Sequence, residues 1–317
     1  MLNLLRWIPA FAGMTILEGM TILAGCGPLS PATSYHPQAA TASAPNAAPT
    51  ESSLFRIVNI DVGEGDASLL IAPDGETILI DTGPPQTGAQ AVLKTAKEME
   101  IASIDTILIS HNHLDHNGSL AEILKDPIAV HAKIIDRDSA QIGEILHLEG
   151  GALNIIGVNG HIGEADYSPF IEDDENARSV ALVVEYGAFR YFTGGDLTGG
   201  GGNPPYQTID LETPLAPLVG DVDVMKVPHH GSHTSSNETF LKTLQPEAAI
   251  ISAGAKNEFF HPHPSVVERY EKSGITLYQT KNGSICIITD GETYEIKPYA
   301  VDKCPAPQVP DPEEENL

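Results

Sequence analysis

The chain of 317 residues carries 43 Asp+Glu against 17 Lys+Arg, a formal net charge of −26, and its 41% hydrophobic content can fill one large domain or two small ones. So few cations exclude a surface that holds nucleic acid through clustered lysine and arginine, and no stable nucleic-acid complex is expected; a nuclease whose positive charge comes from metal ions is not excluded. The 29 Gly and 24 Pro are aperiodic, which excludes collagen-like and coiled-coil chains.

Residues 1–26 are apolar with one cation, Arg6, and are interrupted by Pro9 and Glu18. The run is too short and broken for a spanning helix. It ends in Leu23-Ala24-Gly25-Cys26, which resembles a bacterial lipobox, where cleavage leaves Cys26 as a lipidated first residue. Residues 27–53, rich in Ala, Pro, Ser and Thr, read as a disordered tether because they cannot bury enough apolar surface to fold. The expectation is an exported bacterial lipoprotein that faces the periplasm or cell exterior and touches the membrane only through its lipid.

From Leu54 the pattern changes. LFRIVNIDV, ASLLIAP, TILIDTG and IDTILIS read as strands. Residues 87–101 read as a helix capped by Thr87, and 118–125 as a short second helix. A second series follows, SVALVVEYG, FRYFTGG, VDVMKVP, AAIISAG, TLYQT and SICIITD, with helices over 236–244 and 264–273. Each half is strand-rich at first and then alternates strand and helix, a pseudo-duplicated α/β layout. Residues 301–317, ending DPEEENL, read as an acidic disordered tail. Cys286 and Cys304 either pair in an oxidising compartment or remain a buried and an exposed thiol.

The chemistry concentrates in Ser110-His111-Asn112-His113-Leu114-Asp115-His116-Asn117-Gly118, between a strand and a helix-like segment. Three imidazoles and a carboxylate so close together repel if protonated and need partners if buried. Divalent metal resolves both problems, and the spacing allows two ions, with His111 and His113 on one side of the turn and Asp115 and His116 beyond it. After FRYFTGG, adjacent glycines let the backbone approach the site, so that Asp196 can bridge two cations. His229 and His230 are adjacent, point in opposite directions if the segment is extended, and so place one imidazole on a metal. His261 and His263 alternate with prolines in a stiff loop; they line the entrance, contact substrate through His263, or are structural.

The HxHxDH string resembles the signature of the metallo-β-lactamase fold superfamily of hydrolases. The opening Asp61-Val62-Gly63-Glu64-Gly65-Asp66-Ala67, then Ile80-Asp81-Thr82-Gly83, Gly194-Gly195-Asp196, Val227-Pro228-His229-His230-Gly231-Ser232 and His261-Pro262-His263-Pro264 are similar to the hydrolase domain of the competence protein ComEC/Rec2. The resemblance is to the hydrolase domain and not to that protein's membrane-channel portion, so DNA uptake itself is not expected to carry over. The resemblance implies a four-layer αββα sandwich over residues 54–300, with the metal site at one edge. It implies two divalent ions, zinc by default, held by His111, His113, Asp115, His116, Asp196 and His230. Asp81 then supports the histidine loop, His229 hydrogen-bonds charge developing on a substrate oxygen, and Asp115 orients the nucleophile. Many superfamily members place another histidine before the GD motif, whereas here Asn176 and Ser179 occupy that stretch. The first ion accordingly has fewer protein ligands, and manganese becomes an alternative to zinc.

The expected activity is hydrolysis of a small-molecule or polymeric phosphodiester, extracellular DNA or a phosphorylated surface polymer, by a metal-bridging hydroxide. The alternative is a carboxylic ester, lactone or lactam, since fold does not choose substrate. A third reading is a non-catalytic metal-binding surface protein.

Overall fold

The computed structural model describes residues 53–171, 173–202, 207–300 and 304. The signal segment 1–26, all but the last residue of the 27–53 tether, and the 301–317 tail apart from Cys304 lie outside the described residues. No helix among the described residues is long and apolar enough to cross a membrane.

Two sheets face each other. The first has seven strands, in the spatial order Tyr294–Pro298, Ile285–Thr289, Phe55–Asn59, Ser68–Ile71, Thr77–Ile80, Thr106–Leu108 and Lys133–Ile135. The path through the second sheet runs Thr276–Gln279, Ala248–Ile251, Val224–Lys226, Phe189–Thr193, Ala181–Tyr186, Gly151–Val158 and on to two short edge strands. Each sheet begins with antiparallel hairpins and continues with parallel strands joined through helices. That repetition is the pseudo-duplication expected from the sequence.

Strand alternation builds the layers, because successive side chains leave opposite faces of a sheet. Ile57, Leu70 and Ile78 face inward and meet Leu182, Val184, Tyr191 and Ile250 of the second sheet. Their neighbours Val58, Leu69 and Leu79 face outward and bury Ala89 and Val92 of the helix Thr87–Glu98. On the far side Val183, Phe192, Met225 and Ala249 pack against Leu215, Phe240, Leu241, Val266 and Tyr270 of three helices. The result is the αββα sandwich.

Some local expectations are corrected. Thr87 is the first residue of its helix and not the cap: Gln86 precedes it at φ 68° without a capping side chain. The cap is tertiary, because Ser119 Oγ accepts the Ala89 N–H at 2.8 Å and donates to Pro84 O at 2.6 Å. The 118–125 helix is two short turns, Leu114–Asn117 and Leu120–Ile123. The SICIITD strand leaves the second half and pairs antiparallel with Phe55–Asn59 in the first sheet. Cys286 on that strand forms a disulfide with Cys304.

The parallel strands end at one edge of the sandwich. Asp81 follows Ile80, Ser110 and His111 follow Leu108, Asp196 follows Thr193, His229 and His230 follow Lys226, and Ser252 follows Ile251. In open α/β sheets this carboxyl edge is where ligands bind.

Candidate metal centre

Close packing of loops at that edge depends on glycine at two points. Gly195 sits at φ +51°, and a Cβ there would lie 2.6 Å from Ser110 Oγ. Gly65 sits at φ +129°, and its Cβ would lie 2.2 Å from Asp115 O. Only glycine lets the GD and GEGD loops touch the histidine loop.

Two donor sets share Asp196. Its Oδ1 is buried without a hydrogen-bond partner and lies 3.2 Å from His116 Nε2 and 3.4 Å from His230 Nε2. Asp115 Oδ2 lies beside this second set at 3.2 Å from His230 Nε2 and 3.8 Å from His116 Nε2, and a carboxylate oxygen of Asp66 also lies within 4.8 Å of ligand atoms of His116, Asp196 and His230. Both rings are fixed from behind: His116 Nδ1 donates to Asp81 Oδ2 at 2.8 Å, and His230 Nδ1 to Ser252 O at 2.8 Å. In the neutral rings those nitrogens hold the protons, so the two Nε2 lone pairs face each other at 3.2 Å, a clash relieved by a bound cation or by protonation. Opposed lone pairs beside an unpartnered carboxylate oxygen fit a divalent cation.

The first set comprises His111, His113 and Asp196, whose candidate ligand atoms lie within 4.8 Å of one another. His111 Nε2 is 3.8 Å from Asp196 Oδ2 and 3.0 Å from His113 Nδ1. His111 is fully buried, with Nδ1 3.1 Å from Ser110 Oγ, whereas His113 is exposed. Ser179 Oγ accepts the Asp196 N–H at 3.1 Å, and Asn176 Nδ2 lies 3.2 Å from His229 Nε2.

The histidine pair departs from the extended segment read from the sequence. Pro228–Gly231 is a tight turn in which His229 and His230 both adopt left-handed backbone, φ 49° and 52°. Non-glycine residues in this region store strain that the surrounding structure has to hold, and such residues cluster at functional sites. The turn still separates the rings, whose centres are 6.3 Å apart. His230 joins the second set, while His229 Nε2 stands 3.8 Å from Asp196 Oδ2 and its Nδ1 contacts Thr234 Oγ1 at 3.1 Å. His263 lines the neighbouring cleft and accepts the His233 N–H at 3.2 Å.

Electrostatics differ among these groups. Burial alone depresses His116, but the carboxylates of Asp196 and Asp81 outweigh it and hold the ring well above its usual range. His230 is raised likewise against burial by Asp196 and Asp66. Burial dominates at His111, which falls well below the usual value, and at His229, which falls to about 4. Asp115 is held down to about 2, because the hydrogen bond from His230 and the charge of His116 outweigh its burial.

Sequence reasoning assigned no role to three further residues at this edge. Asp66, in the quoted GEGD motif, is buried against the rings of His116 and His230 and is ion-paired with the buried Lys226. Glu64 has both carboxylate oxygens buried without hydrogen-bond partners, and burial pushes its carboxyl up. An acid two residues from Asp66 in a glycine-rich turn was the available signal. For Lys226, which ends a strand that reads as apolar, no local signal exists.

A profile of the Metallo-beta-lactamase superfamily matches residues 61–255. ComE operon protein 3 of Bacillus subtilis is 29% identical over 275 residues, covering 75% of this chain and 33% of that protein. Recombination protein 2 of Haemophilus influenzae is 28% identical over 229 residues, covering 69% of this chain and 26% of that protein. Hydroxyacylglutathione hydrolase of Rhodopseudomonas palustris is 28% identical over 214 residues, covering 63% of this chain and 75% of that protein. The chain therefore spans a third or less of the length of the first two relatives, 33% and 26%. It belongs to the metallo-β-lactamase superfamily of hydrolases.

Proposed function

We propose that the chain is a phosphodiesterase working with two divalent ions, one in each donor set. The observation that carries this reading is the sharing of Asp196 between the two sets, beside a cleft of about 670 Å³ that reaches His229, Asn176 and His263. Paired cations suit in-line displacement at phosphorus, where they polarise a phosphoryl oxygen and stabilise charge on both the entering and leaving oxygens. Each set supplies two imidazole nitrogens, but among the described residues the first has no carboxylate besides the shared Asp196 and one of its imidazoles is exposed, so this site has fewer ligands and manganese suits it as well as zinc.

The chain's own residues supply the rest. Asp115 stays ionised at neutral pH and is 27% exposed, which suits its carboxylate to orient an attacking water by accepting a hydrogen bond from it. The His229 and Asn176 pair faces the same space and presents a donor to a substrate oxygen as charge develops. Among the described residues lining the cleft there is no lysine or arginine. This supports a small phosphodiester, or one unit of a surface polymer or extracellular strand, over a long nucleic acid held along its backbone. The Leu23-Ala24-Gly25-Cys26 ending supports an exported, lipid-tethered location.

The second reading, hydrolysis of a carboxylic ester, lactone or lactam, is favoured by the hydroxyacylglutathione hydrolase relative. Metal-loaded protein assayed on bis(p-nitrophenyl) phosphate, p-nitrophenyl acetate, a lactone and nitrocefin separates the two. Turnover of the phosphodiester is expected; turnover of the carboxylic substrates alone overturns the proposal. Cys26→Ser is expected to release the protein from the membrane fraction with activity unchanged, and retention there defeats the tether.

A further inference from the structure

Lys226 ends the strand Val224–Lys226 and is 2% exposed. A buried ammonium needs acceptors for three N–H groups, and this one finds each on a different motif. It contacts the Asp66 carboxylate of the GEGD loop, and its Nζ lies 3.3 Å from Gly195 O of the GD loop and 3.3 Å from Val227 O at the start of the HHGS loop. These are loops on which the shared carboxylate and the second set's imidazole from the HHGS motif are mounted.

Asp66, 3% exposed, stands at the outer edges of the two rings of that set. Its Oδ1 is 3.4 Å from His230 Nδ1 and its Oδ2 is 3.7 Å from His116 Nδ1. Those are the nitrogens that already donate to Ser252 O and Asp81 Oδ2, whereas the Nε2 atoms face Asp196 and Asp115. We propose that Lys226 is a positioning residue: its ammonium fastens the three loops and keeps Asp66 behind the His116 and His230 rings, where the carboxylate fixes the imidazoles without binding metal. The inference rests on the two-set reading.

A rival arrangement is geometrically open, because a carboxylate oxygen of Asp66 lies within 4.8 Å of ligand atoms of His116, Asp196 and His230. If Asp66 were a ligand, Lys226 would compete with the cation for it. The two arrangements give opposite signs when the ammonium is removed. Positioning predicts weaker metal binding, since the loops and rings lose their fixed geometry. Competition predicts tighter binding, since the carboxylate is freed.

The test is zinc affinity and stoichiometry, measured by chelator competition on Lys226→Met and Lys226→Gln, with circular dichroism to confirm the fold. Each substitution is also made in His113→Ala, which isolates the second site. Second-site affinity is expected to fall by about 10- to 100-fold, the usual effect of losing a group that orients metal ligands, with a smaller loss at the first site, which shares Asp196 but whose His111 and His113 are not mounted on these loops. Unchanged or tighter second-site binding overturns the proposal, as does an equal loss at both sites. If neither variant folds, Asp66→Asn decides: two ions still bound at saturating zinc support positioning, and loss of one overturns it. A wild-type stoichiometry below two defeats the two-set reading instead; the same signs are then read on the one ion that binds, and a chain that binds none overturns both.

Discussion

The two donor sets meet at Asp196 and are built differently. In the second set both imidazoles are buried, and each has its rear nitrogen tied by a 2.8 Å hydrogen bond to Asp81 or Ser252. In the first set His111 is backed by Ser110, which itself donates to Asp81 Oδ2 at 2.8 Å, while His113 stands exposed. Residue types alone make the sets look alike. Their difference lies in what stands behind each ligand, and fixed ligands bind more tightly and more selectively than mobile ones. The second site is expected to fill first and the first site to follow the metal supply.

The largest effect is expected where the sets join. Asp196→Asn replaces a carboxylate facing both sets by a neutral amide. Both ions should be lost at metal concentrations that saturate the wild type, and kcat/KM should fall by about 10³ or more, since each cation contributes several kcal/mol to the transition state. Two tightly held ions in this variant, by metal analysis, would remove Asp196 from the shared role.

Next come the variants that separate the sets. His116→Ala should empty the second site and leave the first, and His113→Ala should do the reverse with the smaller loss of affinity, because its ring is exposed. Matching losses of both ions in the two variants would dissolve the division. Asp81→Asn tests backing without touching a ligand. Asp81 accepts from Ser110 N at 2.7 Å and from His116 Nδ1 at 2.8 Å, and its neutralisation should weaken the second site by about 10- to 100-fold. An unchanged titration would mean that the loop is held by other contacts.

The smallest effect is a pH dependence in the metal-free protein. His229 has its folded value lowered to about 4 by burial, from about 6.5 when unfolded. Between these values the unfolded chain binds more protons, so this group's contribution is complete above about 6.5 and is lost as pH falls through about 4. Subtracting the stability profile of His229→Gln from that of the wild type should reveal an acid loss of about 1–3 kcal/mol. A flat difference would mean that His229 is hydrated when folded.

Local signals carried far in this chain. Apolar, β-branched runs between turn residues, such as Phe55–Asn59 and Ala181–Tyr186, announce strands, and both helices read at 236–244 and 264–273 form within two residues of those bounds. Errors arose where a distant residue decides. Thr87 is a competent capping type, yet Ser119 takes the cap because the histidine loop folds against it. The pair His229 and His230 reads as extended after a strand, but the close seat of the Pro228–Gly231 turn over Gly195, whose carbonyl accepts the His229 N–H at 3.1 Å, imposes left-handed backbone. The last β-rich run belongs by order to the second half and by pairing to the first sheet.

What the sequence determined is much of the inventory: a pseudo-duplicated series of strands and helices, without the helix Glu212–Val219 or the strand Gly151–Val158, and most of the residues able to hold metal. Those follow from β-branched runs between turn residues and from the clustering of ligand types at strand ends, both of which are local. What only the tertiary structure decided is the state of each group. His230 owes its bare Nε2 to a carbonyl at Ser252, and Asp66 is turned toward Lys226 on a strand of the other sheet. Contacts of this kind join residues far apart in the chain and leave no periodic trace in it, because a buried polar atom takes whichever partner the packing brings within about 3 Å.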